Sequence, residues 1–224
     1  MKTKRLLPLL IILISLAGCF EVEQQLTIEK DGSSEYKLII VISQSLLLMQ
    51  ETTETEICNN SLKNTIDGYS LIFTSSQFQR GEDFVCTILI KGTFEELFKL
   101  IKSGEISQNV PTNKGVSPPN GIDLLKIEKI SNSAYKLISQ IKPEEEQTDS
   151  SVVKLLEPMF RGRNFIFSLE APNITKSSSR ITNNGTKTRV EIPISNLIMN
   201  KEVYFESIFE FEEYKEDPFK SFLK

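Results

Sequence analysis

The sequence predicts an α+β fold, in which an antiparallel sheet of several hairpins carries two or three short helices packed on it. Three observations lead to this class. Apolar and polar residues alternate over many short segments, turn residues separate these segments in pairs, and helix-like patterns interrupt the pairs only a few times. A doubly wound sheet would instead alternate one strand with one helix. The composition, 39% hydrophobic and 25% charged in 224 residues, is that of a globular protein.

The first predicted hairpin turns at Asp31-Gly32, between strands at 21–29 and 36–42. Both faces of its second strand are largely apolar, which indicates a central position in the sheet. A polar, Thr-rich helix is predicted next, at about 45–63. The apolar cluster Leu46-Leu47-Leu48-Met49 at the start of this helix is typical of a core contact, and a membrane contact is the alternative.

A second pair of strands is predicted at 69–74 and 84–91, and a helix begins directly after it. Thr93 and Glu96 form a capping box there, and apolar residues recur along one stripe at helical spacing: Phe94, Leu97, Phe98 and Ile101. Residues 105–121 are rich in Asn, Ser, Pro and Gly. They predict an exposed loop, at which the domain could divide into two halves.

The remainder of the chain is predicted to be mostly strand. A third hairpin pairs 122–130 with 134–141, the acidic run 143–146 is interpreted as a solvated loop, and a short helix spans 151–157. The middle two of the last four strands connect through Asn183-Asn184-Gly185, a strong hairpin signal. The four strands are predicted at 164–170, 178–182, 187–194 and 202–214.

The first 18 residues have the anatomy of a secretory signal peptide. A basic start precedes an apolar run that is too short to span a bilayer, and Leu16-Ala17-Gly18-Cys19 follows. This tetrapeptide resembles the lipobox, whose Cys receives a diacylglyceryl group, becomes the N-terminus after cleavage and is usually acylated again, for example with palmitate. We therefore predict lipidation at Cys19. Residues 19–224 would form an extracytoplasmic domain, held at the membrane of the bacterial cell envelope by the lipid.

Lipidation of Cys19 would leave two cysteines, Cys58 and Cys86, in a compartment where disulfides persist. We expect these two residues to form a disulfide. Two separate buried thiols are the alternative, because sequence spacing does not determine whether the Cα atoms come close enough to be bridged.

The composition argues against most enzyme and nucleic-acid functions. The chain has no His, which removes the Ser-His-Asp and Cys-His systems and the HExxH zinc site. It also lacks a phosphate-binding Gly loop and closely spaced Cys pairs, so we expect no catalytic residue, no cofactor and no metal ion. After removal of residues 1–18 the formal charge is −7, from 23 basic and 30 acidic residues, which argues against a nucleic-acid partner. One compact basic spot, Arg161-Gly162-Arg163, is interpreted as a solvated turn, with an anionic head-group site as the alternative.

Several of these features occur in the order and spacing of one known family. They are the lipobox, the Asp31-Gly32-Ser33 turn, the helix start Gly92-Thr93-Phe94-Glu95-Glu96-Leu97, and the segment Phe167–Pro172 followed by 185–194. Together they resemble the LppM-like lipoproteins. The resemblance implies an extracytoplasmic α+β domain displayed from the envelope, contact with lipids or glycolipids for some members, and no established catalysis. Members often carry a C-terminal membrane segment or tail, and this chain departs from that pattern by ending at Phe222-Leu223-Lys224.

From these features we expect a non-enzymatic, lipid-anchored envelope protein. Its domain would bind an apolar or amphipathic ligand, such as a lipid or glycolipid, or another envelope component. The alternative is a structural or interaction module of an envelope complex. A carboxylate-dependent glycosidase is the third hypothesis, and it would need two acidic groups about 5 to 10 Å apart in one cleft.

Overall fold

The computed structural model describes residues 20–44, 47, 58, 66, 68–103, 122–141, 162–198 and 201–211. Several predicted features lie outside these residues, namely Cys19 with its lipobox, the loop at 105–121, the acidic run 143–146 and the helix at 151–157. Of the helix predicted at 45–63, only Leu47 and Cys58 are described.

The described elements comprise eleven strands, two α-helices and a short 3₁₀ helix at Asn183–Gly185 that connects β9 to β10. In chain order the strands and α-helices are β1 (Phe20–Ile28), β2 (Ser33–Ser43), β3 (Ile72–Arg80), β4 (Asp83–Thr93), α1 (Phe94–Lys102), β5 (Ile122–Lys129), β6 (Ala134–Ile141), β7 (Asn164–Glu170), β8 (Asn173–Ser177), β9 (Ile181–Thr182), β10 (Lys187–Pro193), α2 (Ser195–Ile198) and β11 (Val203–Glu210).

The strands form two sheets. The larger sheet has the order β3-β4-β2-β1-β7-β10-β9, and the smaller sheet has the order β5-β6-β11-β8. All described pairs are antiparallel except β1 with β7, which are parallel. The sequence predicted an antiparallel sheet, and this prediction is wrong at the centre of the larger sheet, where β1 and β7 pair in parallel. Two strands that are distant in sequence can pair in either direction, whereas a tight turn forces the antiparallel one.

The hairpin β1–β2 forms as predicted. Asp31 accepts hydrogen bonds from the backbone N–H of Ser33 at 2.9 Å and from its hydroxyl at 2.7 Å. Gly32 has a φ of +85°, a conformation that suits glycine because it has no Cβ. The second strand, β2, lies between β1 and β4, and Tyr36, Leu38, Ile40 and Ile42 are buried on one face of it.

Helix α1 also begins as predicted. The hydroxyl oxygen of Thr93 accepts a hydrogen bond from the backbone N–H of Glu96 at 3.4 Å, which caps the helix. The carboxylate of Glu96 pairs with Lys99 at 2.8 Å. The apolar stripe of the helix faces the core, where the ring of Phe94 packs against those of Tyr135, Phe209 and Phe211.

The core lies between the two sheets and α1. The inner face of the larger sheet carries Val22, Leu26, Phe165, Phe167 and Leu169, among others, and these belong to one cluster with the inner residues of the smaller sheet. At the contact between the sheets, the ring centroids of Phe167 and Phe205 are 4.8 Å apart. We call the opposite side of the larger sheet its outer face.

The described part of the chain is mostly β, with α1 as its one helix longer than a single turn. This corrects the predicted α+β class with two or three helices packed on a sheet. In the described part, the inner face of the larger sheet is covered mainly by a second sheet. The alternation along each strand shows which face is buried, but it does not show whether a helix or another sheet covers that face.

The largest differences from the predicted strands concern β3 and the residues 173–182. Strand β3 spans Ile72–Arg80, whereas the prediction ended at 74. Its later residues are mostly polar, because β3 is an edge strand with largely exposed faces, and they are extended because they pair with β4. The strand predicted at 178–182 shortens to β9, and β8 was missed. Strand β8 buries a single apolar side chain, that of Ile174, and one buried residue does not produce a recognisable alternation.

Cys58 and Cys86 form a disulfide, with their Cα atoms 5.6 Å apart. Both residues are buried, Cys86 on the inner face of β4. Leu47 and Ile66 are buried in the same core cluster. The disulfide therefore joins residue 58 covalently to the larger sheet.

Candidate ligand-binding site

Two polar side chains lie in the apolar interior between the sheets. Gln24 of β1 and Tyr36 of β2 are both fully buried, on the inner face of the larger sheet. Strand register places Leu38 of β2 and Phe167 of β7 beside Gln24. Since Phe167 contacts Phe205 of the smaller sheet, the amide of Gln24 lies close to where the two sheets meet.

The hydrogen bonding of this pair is incomplete. The hydroxyl of Tyr36 donates to Gln24 Oε1 at 3.3 Å. Burial raises the pKa of Tyr36, so its phenol stays protonated and remains a donor at neutral pH. Gln24 Nε2 is buried and has no hydrogen-bond partner in the described part of the protein. Leaving a buried amide donor unpaired costs about 1 to 3 kcal/mol, so this atom is available to an oxygen acceptor.

Other buried polar side chains of the interior are paired. The hydroxyl oxygens of Thr188 on β10 and Ser177 on β8 are 3.0 Å apart, which links the two sheets. Ser207 on β11 donates to the backbone carbonyl oxygen of Lys176 at 3.1 Å. These contacts need no further partner. The contrast makes Gln24 Nε2 the buried side-chain donor of the described interior that has no hydrogen-bond partner.

The carboxyl groups show a different kind of environment. Hydrogen bonds from Lys136 and Tyr204 lower the pKa of Glu206, and the bond to Glu206 raises the pKa of Lys136. Hydrogen bonds also lower the pKa values of Asp31, Glu96 and Glu128. A glycosidase requires a carboxylic acid whose pKa is raised. Among the described residues, no resolved carboxyl shift is in that direction.

The sequence-predicted residues are not brought together at one place. Cys19 lies outside the described residues, and Cys58 and Cys86 form the disulfide. Arg163 lies at the start of β7, where its Nη2 atom is 2.9 Å from both carboxylate oxygens of Asp83. Both side chains of this ion pair are mostly buried. Because its charge is already paired, Arg163 fits the structural interpretation of the basic spot better than the head-group one.

Sequence reasoning missed Gln24, although a signal was present. Residues 22–28 alternate, and the alternation assigns Val22, Leu26 and Ile28 to a buried face. Gln24 occupies a position of that same face, where a polar side chain is unusual. A polar residue at a position assigned to the core is a reason to look for its hydrogen-bond partner.

No cluster of three or more His, Cys, Asp and Glu side chains suited to a metal ion occurs among the described residues. In the same part of the chain, no helix has the length and apolar character needed to cross a membrane.

The fold and the interior pair define a mostly β domain with two packed sheets, one helix and a buried, partly unpaired amide. Its fold is similar to that of the folded domain of the Mycobacterium tuberculosis protein LppM, solved by NMR. The TM-score is 0.51 at 9% sequence identity, over 87% of this chain and 91% of that chain. At this identity the likeness concerns the fold alone. No family model matches the chain, and no curated protein does.

Proposed function

We propose that this chain is a bacterial envelope lipoprotein, anchored by lipid on Cys19, whose β domain binds an amphipathic ligand such as a lipid or glycolipid without catalysing a reaction. The tetrapeptide Leu16-Ala17-Gly18-Cys19 supports the anchor. The fold likeness to LppM is compatible with the family resemblance of the sequence. The domain would stand on the extracytoplasmic side of the membrane.

The unpaired amide of Gln24 is the observation that carries the binding proposal. An amphipathic ligand offers ester, hydroxyl or phosphate oxygens, any of which accepts a hydrogen bond from an amide N–H. Leu38 and Phe167 lie beside Gln24 in the sheet, and Phe205 packs against Phe167, so apolar side chains that suit acyl chains lie near the amide. In an apolar interior such a hydrogen bond adds specificity, because a purely hydrocarbon ligand would leave the amide unpaired.

Mass spectrometry of organic extracts tests the binding proposal. The mature protein with Cys19→Ser, exported so that its disulfide forms, would be purified without detergent and extracted. We expect a defined lipid species in the extract. The matched control is Gln24→Leu, which removes the amide and puts an apolar side chain of similar size in its place. A domain that is empty in repeated preparations and has no affinity for lipid vesicles would contradict the proposal.

Mass spectrometry of the N-terminal peptide tests the anchor separately. Protein isolated from membranes should begin at Cys19 and carry the mass of a diacylglyceryl group, and Cys19→Ser should release the protein from the membrane fraction. An unmodified Cys19 in membrane-extracted protein would contradict the anchor. Ligand binding by the interior would not be affected by that result.

The second candidate function is an interaction module of an envelope complex. It is favoured by the exposed side of the smaller sheet, where Tyr204 is 40% exposed and donates a hydrogen bond to Glu206. Lys136 pairs with the same carboxylate at 2.8 Å. Aromatic rings set among charges are common at protein interfaces. A Tyr204→Ala variant that loses a crosslinked partner while retaining the extracted lipid would favour this function.

A further inference from the structure

The register of the larger sheet places the start of β1 at one particular end of the sheet. Strand β1, the central strand of seven, begins at Phe20, directly after Cys19. Phe20 pairs with Ile42, Ile42 with Phe84, and Phe84 with Gln79. Phe20 is therefore level with Gln79, one residue before the end of β3 at Arg80, and Cys19 directly precedes Phe20 in the sequence. We call this end of the larger sheet the Cys19 edge.

An exposed aromatic ring lies near the Cys19 edge. Phe78 is 53% exposed on the outer face of β3, two residues before the end of that strand at Arg80. The side chain of Arg80 is 59% exposed, and its closest contact with Asp83 is 3.9 Å. A Phe beside an Arg suits the boundary between lipid head groups and acyl chains. There the ring enters the apolar layer and the guanidinium binds phosphate.

Phe20, which follows Cys19 in the sequence, is close enough to Phe78 for both to reach one membrane surface. Three strand spacings of about 4.8 Å separate β1 from β3, and one residue at about 3.4 Å separates the level of Phe20 from that of Phe78. The backbones at Phe20 and Phe78 are thus roughly 15 Å apart. A lipid on Cys19 holds its own backbone at the head groups, so a modest tilt of the sheet toward β3 brings Phe78 to the same depth.

We propose that the β3–β4 turn is a membrane contact, in which Phe78 and Arg80 enter the interface of the bilayer that holds the Cys19 lipid. This inference rests on the proposed anchor at Cys19 and does not depend on the interior ligand. The lipid and the turn together give two attachment points. Two points orient the larger sheet relative to the membrane, whereas one flexible anchor would leave the domain free to rotate.

The absence of Trp from the chain allows a direct test. In the full-length lipoprotein, F78W introduces the sole Trp, and its emission would be measured in phosphatidylethanolamine and phosphatidylglycerol vesicles with or without brominated acyl chains. We expect brominated chains to reduce the emission by roughly half or more, because the ring lies at the acyl boundary. The emission maximum should shift to the blue when vesicles are present.

Ile72→Trp is the matched control. Ile72 is 66% exposed on the same strand and the same face, six residues and therefore roughly 20 Å further from the Cys19 edge. Its emission should not respond to brominated lipid. Adding Arg80→Glu to F78W should weaken quenching in the anionic vesicles, because the new charge is repelled by phosphate. Circular dichroism and thermal unfolding would establish that the variants keep the fold.

The outcomes separate the inference from the proposed function. If the emission of F78W is no more quenched than that of I72W while both proteins float with the vesicles, the anchor stands and the inference is overturned. A protein partner then becomes the better explanation of the exposed ring. Equal quenching of both variants would mean that the outer face lies flat on the membrane, which also overturns the proposed geometry. Proteins that neither float nor carry lipid on Cys19 would overturn the anchor together with the inference.

Discussion

Replacing the buried Gln24 and Tyr36 by apolar residues should stabilise the ligand-free domain only when both are replaced. Tyr36→Phe removes the donor to Gln24 Oε1 and leaves that atom unpaired beside the already unpaired Nε2. We expect this variant to lose about 1 to 3 kcal/mol of unfolding free energy. Gln24→Leu removes the unpaired Nε2 but leaves the Tyr36 hydroxyl without its acceptor, so its two effects nearly cancel.

The double variant Q24L/Y36F removes all of these polar atoms from the interior. Its expected gain is about 1 to 3 kcal/mol relative to the original protein, since the penalty for burying the unpaired amide disappears and the packing volume changes little. The two substitutions are therefore strongly non-additive, as is expected of side chains in direct contact. Both side chains are fully buried, so bulk water does not reach them to replace the missing partners.

Urea unfolding followed by circular dichroism measures the four free energies of this cycle. The proteins must be delipidated first, because a bound ligand stabilises the folded state by mass action and would mask the difference. A double variant that is destabilised by more than about 1 kcal/mol would refute the reasoning. It would show that Gln24 Nε2 is already satisfied in the folded protein, for example by an ordered water molecule.

Three further predictions concern the stability of the fold. Because 28 residues separate Cys58 from Cys86, replacing both by Ser should lower the unfolding free energy by about 3 to 4 kcal/mol; a loss below about 1 kcal/mol in urea unfolding would contradict the disulfide's structural role. Phe94→Ala, at the centre of the aromatic cluster, should cost about 3 to 5 kcal/mol in the same assay, and a much smaller loss would mean that α1 is not held by this ring. The folded pKa of Glu206 is depressed below 4.5, so its ion pair stabilises the fold above that pH and the contribution is lost as the pH falls through the folded value. Lys136→Met should move the Glu206 pKa back toward 4.5 in an NMR titration of the carboxyl carbon, and an unchanged pKa would rule out Lys136 as the main cause.

The hairpin β1–β2 and the start of α1 show what local sequence predicts well. Their signals are short: a turn residue with a left-handed backbone at Gly32, a carboxylate at Asp31 that accepts hydrogen bonds from the N–H and hydroxyl of Ser33, and a hydroxyl at Thr93 that caps the helix. Each interaction closes within four residues. The residues involved therefore encode the geometry without help from the rest of the chain.

The edge strand β3 and the parallel pair β1–β7 show where such reasoning ends. Residues 75–80 carry no apolar alternation, and their extended conformation comes from hydrogen bonds to β4. The partner of β1 on its second side lies more than 140 positions later in the chain. The residues of a strand indicate which of its faces is buried, but they do not identify the strand that pairs with it.

The sequence by itself determined the β1–β2 turn and the start of α1, and it predicted the disulfide between Cys58 and Cys86. It also contains a tetrapeptide that resembles the lipobox and supports the proposed anchor at Cys19. Only the tertiary structure decided that a second sheet covers the first, that Asp83 neutralises Arg163 across 80 residues, and that Gln24 has a neighbour for its oxygen but none for its nitrogen. The physical reason is the range of the interactions. Turns and caps are satisfied within a few residues, whereas the pairing of a buried charge or amide depends on which distant segments share its surroundings.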